Sequence, residues 1–275
     1  MTLNEAILLL DEAGVPSPEY DAREIFGHFS GAKRPFGLLP EDTVASPEVE
    51  RAIKRRERRE PLQYIIGEVG FYREEYRVSP DCLIPRDDTE ILVDYAVRNI
   101  PEGERFIDLC TGSGCIAIST LKNTKSTSAT AVDISDGALK LAAENAEKNG
   151  VDGRINLLKK DLLNTSAAEL GDGYYAVLSN PPYIKREVYE NLESELFFEP
   201  RIALVAEEDG LGFYKRLIPL GLSILKEGGF IAFEIGYDQA DALRALAASH
   251  GCEIEIIKDY SYNDRVAVLR RKASI

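Results

Sequence analysis

Arg105-Phe106-Ile107-Asp108-Leu109-Cys110-Thr111-Gly112-Ser113-Gly114 carries a short apolar run into a glycine-rich turn, and a helix follows from Cys115. An apolar run of this length bounded by a turn reads as a buried strand, and a strand that turns through glycines into a helix begins a β-α-β unit. The alternation continues down the chain. Ala129–Val132 is the next strand, Ala138–Asn149 a helix closed by Gly150, and Ile155–Leu158 and Tyr175–Leu178 continue the series. Phe230–Glu234, a helix near Gln239–His250, Cys252–Ile257 and Arg265–Leu269 complete it. Strands alternating with helices imply an α/β domain, a parallel sheet covered on both faces.

In an open α/β sheet a cofactor binds beyond the carboxyl ends of the strands, where glycines let backbone N–H groups approach it. Asp108, Cys110, Thr111, Gly112, Ser113 and Gly114 therefore form the first candidate cofactor site. Gly112-x-Gly114-x-x-Ala117 satisfies the dinucleotide fingerprint. Asp133, at the end of the second strand, suits ribose hydroxyls. Asp161 and Leu162 after the third strand suit an adenine, the carboxylate accepting from its amino group and the leucine covering its face. Read alone, these residues fit NAD and S-adenosylmethionine equally, and a ligand-free tight turn or an Asp helix cap is the structural alternative.

Ser179-Asn180-Pro181-Pro182-Tyr183 follows the strand ending at Leu178. A double proline cannot continue a central ladder, so the strand stops and presents an amide side chain, a fixed carbonyl and an aromatic face. Asn180 and the Pro181 carbonyl make paired acceptors for a planar NH2, with Tyr183 stacking beside them. A plain turn is the competing explanation. Methyl transfer to nitrogen needs that pairing, because accepting both hydrogens aims the lone pair and stabilises charge developing on nitrogen. Hydride transfer needs an acid or base instead, and His28 and His250, the only histidines, lie outside these motifs.

Residues 1–70 read as a helical module, with a capping box at Thr2 and Glu5 and Ser-Pro helix starts at Ser17-Pro18 and Ser46-Pro47. The run Lys54–Glu60 reads as a solvated helix face or as a contact surface for an acidic or nucleic-acid-bearing partner. Residues 71–84 alternate aromatic and β-branched residues with charges, which predicts a hairpin linker, and 85–275 form the α/β domain. With 33 basic against 47 acidic residues the net charge is −14, which argues against a nucleic-acid substrate. The absence of a long apolar run and of a basic leader predicts a cytoplasmic protein with no membrane contact. Four cysteines without CxxC spacing predict reduced, mostly buried thiols and no metal.

The tetrapeptide Asn180-Pro181-Pro182-Tyr183 with Asp108-x-x-Thr111-Gly112-Ser113-Gly114 resembles amino-group S-adenosylmethionine-dependent methyltransferases. Together with Pro61-x-Gln63-Tyr64-Ile65-x-Gly67, Leu83-Ile84-Pro85-Arg86-x-x-Thr89-Glu90, Glu199-Pro200-Arg201-x-Ala203-Leu204 and Glu234-Ile235-Gly236-x-x-Gln239, it is similar to the peptide chain release factor glutamine methyltransferase family from about residue 61 onward. The resemblance implies a seven-stranded Rossmann-like class I methyltransferase sheet behind a small N-terminal helical domain. It implies methyl transfer from S-adenosylmethionine, leaving S-adenosylhomocysteine, to the glutamine side-chain amide in the Gly-Gly-Gln loop of class 1 release factors, by a monomer. Asn180, Pro181 and Tyr183 would be catalytic. Those three with Pro182, Arg86 and Glu90 would meet the substrate, and Asn180 would also border the cofactor. The sequence departs from the pattern at Asp87-Asp88 (usually Pro-Glu), Cys110 (Gly), Ala206-Glu207 (often Gly-Gly) and Tyr262 (Gly), all expected in loops. Adenine methylation in DNA or RNA is the rival within methyltransferases, and a Rossmann oxidoreductase or nucleotide-binding protein the rival outside them.

Overall fold

A computed structural model describes residues 1–30, 39–207 and 209–272. The chain divides into two compact units, one of Met1–Glu68 with Leu192–Phe198, the other of Val69–Asn191 with Glu199–Ile275.

The first unit contains helices α1 (Leu3–Glu12), α2 (Pro18–Phe29), α3 (Pro47–Glu57) and α4 (Leu62–Ile66). Thr2 and Glu5 form the capping box at α1, and the Ser46 hydroxyl accepts from Val49 N–H at α3. Ser17 precedes Pro18 as expected but makes no side-chain cap. Leu3, Leu10, Ile25, Phe26, Val49 and Ile53 fill its core. The arginine run is neither a solvated face nor an open contact surface throughout. Arg56 is buried and pairs with Asp21 at 2.6 Å, and Arg55 pairs with Glu60. Arg59 grips both oxygens of Glu195 at 2.7 Å, with Arg56 contributing a third contact at 3.1 Å. These bidentate, partly desolvated contacts tie Leu192–Phe198 into the helical unit.

At the start of the second unit, β1 (Glu68–Phe71) and β2 (Glu74–Arg77) form the hairpin, which begins before the predicted residue 71 and ends well short of 84. Then follow α5 (Glu90–Asn99), β3 (Arg105–Leu109), α6 (Cys115–Lys122), β4 (Ser128–Asp133), α7 (Asp136–Lys148) and β5 (Ile155–Lys159). Short helices α8 (Ala167–Leu170), α9 (Arg186–Tyr189) and α10 (Arg201–Leu204) and short strands β7 (Ile184–Lys185) and β8 (Val205–Ala206) accompany β6 (Tyr174–Ser179). The chain ends with α11 (Gly212–Ile224), β9 (Leu225–Glu234), α12 (Ala240–Ser249), β10 (Cys252–Lys258) and β11 (Asp264–Arg271).

Seven strands form one sheet in the order β10-β11-β9-β6-β3-β4-β5. It is mixed rather than wholly parallel, because β11 runs antiparallel to both β10 and β9. Strands β9, β6, β3, β4 and β5 are mutually parallel, the central ones are largely buried on both faces while the edge strand β5 is only half-buried, and their period-2 side chains sort into two cores. Phe106, Ala131, Leu178, Phe230 and Val268 face α5 and α6, while Ile107, Val132, Val177, Ile231 and Leu269 face α11 and α12. The sheet grows outward from β3 through β4 to β5, then resumes on its other side with β6. Between β3 and β6 the strand order reverses, which opens a crevice beyond their carboxyl ends.

Candidate active site

Register fixes what stands at that crevice. Leu109 pairs with Ser179, and the Ser179 hydroxyl donates to the Leu109 carbonyl at 2.5 Å. The Cys110–Gly114 loop and Asn180 therefore leave adjacent strand tips side by side. They border a cavity of about 370 Å³ in the second unit, also lined by Cys110, Thr111, Gly112, Ser113, Asp133, Asp161, Leu162, Pro182 and Arg86.

The loop is held from below. Thr111 N–H donates to the Val132 carbonyl, and the Asp133 carboxylate accepts from Gly112 N–H at 2.9 Å and from Ser135 N–H at 3.0 Å. Asp133 thus anchors the glycine loop as well as lining the cavity. The Asp161 carboxylate accepts from Leu163 N–H at 3.0 Å and the Asn164 amide at 2.6 Å, so it also shapes a turn.

Five sequence-predicted residues take other places. Asp108 is completely buried beneath the loop, where its Oδ2 accepts from the Thr111 hydroxyl at 2.5 Å. Its Oδ1 finds no hydrogen-bond donor, and burial pushes its pKa up to about 7, with the Thr111 hydroxyl opposing. Gly114 has φ 82°, and a Cβ there would sit 2.9 Å from Ile118 and 3.2 Å from Ala142, so this glycine serves helix packing rather than ligand approach. Glu90 accepts from Tyr72 N–H at 2.5 Å and secures the hairpin instead of the cavity mouth. Arg86 does line the cavity, and its partner is the buried Glu199, which also accepts from Ile84 N–H. Pro181 is buried, and no donor among the described residues pairs with its carbonyl. Tyr183 is absent from the cavity lining. Its hydroxyl donates to Glu234 at 3.2 Å, and burial, with that carboxylate beside it, holds its pKa well above the ordinary phenol value.

Asn180 is fixed from behind. Its Nδ2 donates to the Thr89 hydroxyl at 3.2 Å, and Thr89 donates in turn to Glu234 at 2.5 Å. Burial raises the pKa of Glu234, opposed by the Thr89 hydrogen bond, the Arg265 charge and the Tyr183 hydroxyl. The Tyr183 carbonyl accepts from Gln239, which also bonds the Gly210 carbonyl. Gly210 has φ 83°, and a Cβ there would fall 2.3 Å from the Tyr183 carbonyl oxygen, so only glycine closes this loop. Thr89, Glu199, Glu234 and Gln239 sit in the motifs that carried the resemblance, although residue chemistry alone did not single them out. Phe213 of α11 also lines the cavity and had no such signal.

Among the described residues no group of His, Cys, Asp and Glu could hold a metal, and no helix is long and apolar enough to cross a membrane. The four cysteines are free thiols, and Cys82, Cys115 and Cys252 are buried.

Comparison with known proteins covers both units. Residues 87–207 match the methyltransferase small domain, and residues 2–67 match the PrmC N-terminal domain. A release factor glutamine methyltransferase from Fusobacterium nucleatum is 36% identical over 98% of this chain and 77% of its own length. One from Caulobacter vibrioides is 37% identical over 94% of this chain and 91% of its own. Among solved structures, a ribosomal protein L11 methylase from Lactobacillus delbrueckii subsp. bulgaricus is 25% identical, covering 72% of this chain and 85% of that one, with a TM-score of 0.53. Its sheet and crevice are thus those of a class I methyltransferase, and with identity of this level along nearly its whole length the chain belongs to the release factor glutamine methyltransferase family.

Proposed function

We propose that this protein methylates the side-chain amide nitrogen of the glutamine in the Gly-Gly-Gln loop of a class 1 release factor, with S-adenosylmethionine as donor. The family supports the reaction class, and the observation that carries the substrate reading is the anchored Asn180 amide at the edge of the cavity. With its Nδ2 engaged by Thr89, its Oδ1 is left as the acceptor for a substrate NH2. The Pro181 carbonyl, without an internal partner, supplies the second acceptor. Tyr183 shapes the turn through Glu234 and through its own carbonyl rather than by stacking from the cavity wall.

The cavity's donors and acceptors fit the cofactor. Backbone of Cys110–Ser113 would hold the methionine moiety, Asp133 the ribose, and Asp161 with Leu162 the adenine, in a lining that is mostly apolar elsewhere. When bound, S-adenosylmethionine supplies an electrophilic methyl on a sulfonium. The protein's share is to orient the amide, free its nitrogen lone pair from conjugation, and stabilise positive charge developing there. No strong base is required. The net charge of −14 and the family disfavour a nucleic-acid base as acceptor, and we read the protein as a cytoplasmic monomer whose partner is the release factor.

Mass spectrometry of a release factor incubated with enzyme and cofactor tests the reading, with an adenine-containing oligonucleotide offered alongside. We expect a single added methyl on the Gly-Gly-Gln peptide and none on the oligonucleotide, and the opposite pattern would refute it. Asn180→Ala should lower turnover by about 10²–10³ while cofactor affinity changes far less.

A further inference from the structure

Glu234 lies outside the cavity lining and Thr89 at its edge, and a single file of hydrogen bonds runs from Glu234 through Thr89 to Asn180. Glu234, at the carboxyl end of β9, is 2% exposed and accepts from two hydroxyls, Thr89 through Oε2 and Tyr183 through Oε1. Thr89 is likewise 2% exposed. In its ionised form Glu234 can only accept, so Thr89 gives its one proton to it. The Thr89 oxygen then offers lone pairs alone, and Asn180 must turn its Nδ2 toward it, as the 3.2 Å contact records. Reversing the Asn180 amide would set two acceptors against each other at Thr89 and present an NH2 to an incoming NH2. Both clashes would lie in a partly desolvated site, where mismatched polar groups cost most.

We infer that Thr89 and Glu234 are positioning residues that set the direction of the Asn180 amide, so that the site presents an acceptor and selects substrates bearing an NH2 over those bearing a carbonyl or carboxylate. The inference rests on the proposed role of Asn180. It gives the buried acid of β9 a task in specificity: acceptor character passes from its carboxylate through one hydroxyl to the edge of the cavity.

A double-mutant cycle tests this with the release factor as substrate, measuring kcat, KM, cofactor affinity by calorimetry and the unfolding midpoint. Thr89→Val should lower kcat about tenfold, the scale of one hydrogen bond, with cofactor affinity unchanged. Thr89→Ser, which keeps the hydroxyl, should recover most of it, and Thr89→Ala replaces the valine variant should that one misfold. In the Asn180→Ala background, removing the Thr89 hydroxyl should cost nothing further. Losses that multiply in the double variant, or a fall in cofactor affinity or unfolding midpoint that matches the fall in kcat, would show a merely structural role and overturn the inference. Full turnover in Thr89→Val beside a crippled Asn180→Ala would also overturn it while leaving the proposed reaction standing. Full turnover in Asn180→Ala would remove the underlying reading itself.

Discussion

Tyr262 holds φ at 66° with its side chain 82% exposed, and Cys110 holds φ at 60° in the cofactor loop. These are two of the positions where the resembled pattern has glycine, and both lie in the left-handed region that costs an L-residue about 1–2 kcal/mol. Because the Tyr262 ring is so exposed, Tyr262→Gly should gain about 0.5–1 kcal/mol after glycine's larger chain entropy is subtracted. Urea denaturation would measure the gain, and a loss would mean that the ring contributes more than its exposure suggests. Asp108 gives a pH signature. Its folded pKa, raised to about 7 from an ordinary 3.8, means that the native state holds a proton the unfolded chain has released. Stability from this group is therefore greatest below about pH 4 and falls as pH rises to about 7, beyond which the loss is constant. Denaturation midpoints at pH 5 and pH 8 should differ less in Asp108→Asn than in the parent, and identical differences would reject the assignment.

The parallel strands were legible because each is an apolar run closed by a turn; β3, β4, β5 and β6 match their expected bounds within a residue, whereas β9 starts at Leu225, five residues before the expected Phe230, because its first half carries Lys226, Glu227 and two glycines instead of an apolar run. The hidden elements had conflicting local signals. The 13-residue α11 carries Pro219 and Gly221 in its interior, ordinarily breakers, yet a Cβ at Gly221 would meet Ile231 at 2.9 Å, so packing on the sheet selects the glycine. The antiparallel direction of β11 was equally hidden, since alternation does not encode strand direction. At the site, most residues of the glycine loop and strand tips were readable from their chemistry, though Phe213 was not, whereas the roles of Gly114 and Glu90 depended on Ala142 and Tyr72, distant in sequence, and that of Asp108 on its complete burial. Helix α3 shows the same limit: nothing local marks Arg56 as its buried arginine. Arg56→Ala would leave Asp21 buried without its counter-charge, and we expect a loss of about 3–5 kcal/mol in denaturant unfolding. A change below about 1 kcal/mol would mean that water reaches the pair.

On the scale of the whole chain, we propose that the α/β unit begins at Val69, one residue into β1, so that a fragment starting there keeps nearly the whole hairpin. Starting at residue 75 would remove β1 and the contacts of Tyr72 with Glu90 and Asp94. A fragment from Val69 should bind cofactor but methylate an intact release factor poorly, and equal turnover would limit the helical unit to a stabilising role. Limited proteolysis of the fragment should cut first within Leu192–Phe198, now deprived of Arg56 and Arg59. The Glu195 contact also sets an order of events during synthesis. Arg59 and Glu195 are 136 residues apart, which at roughly 5–20 residues per second is about 7–27 s of translation. Although its helices are made first, the N-terminal unit cannot close its last ion pairs until β6 has left the ribosome. The growing chain must therefore carry Arg59 without its acidic partner for about half of its synthesis.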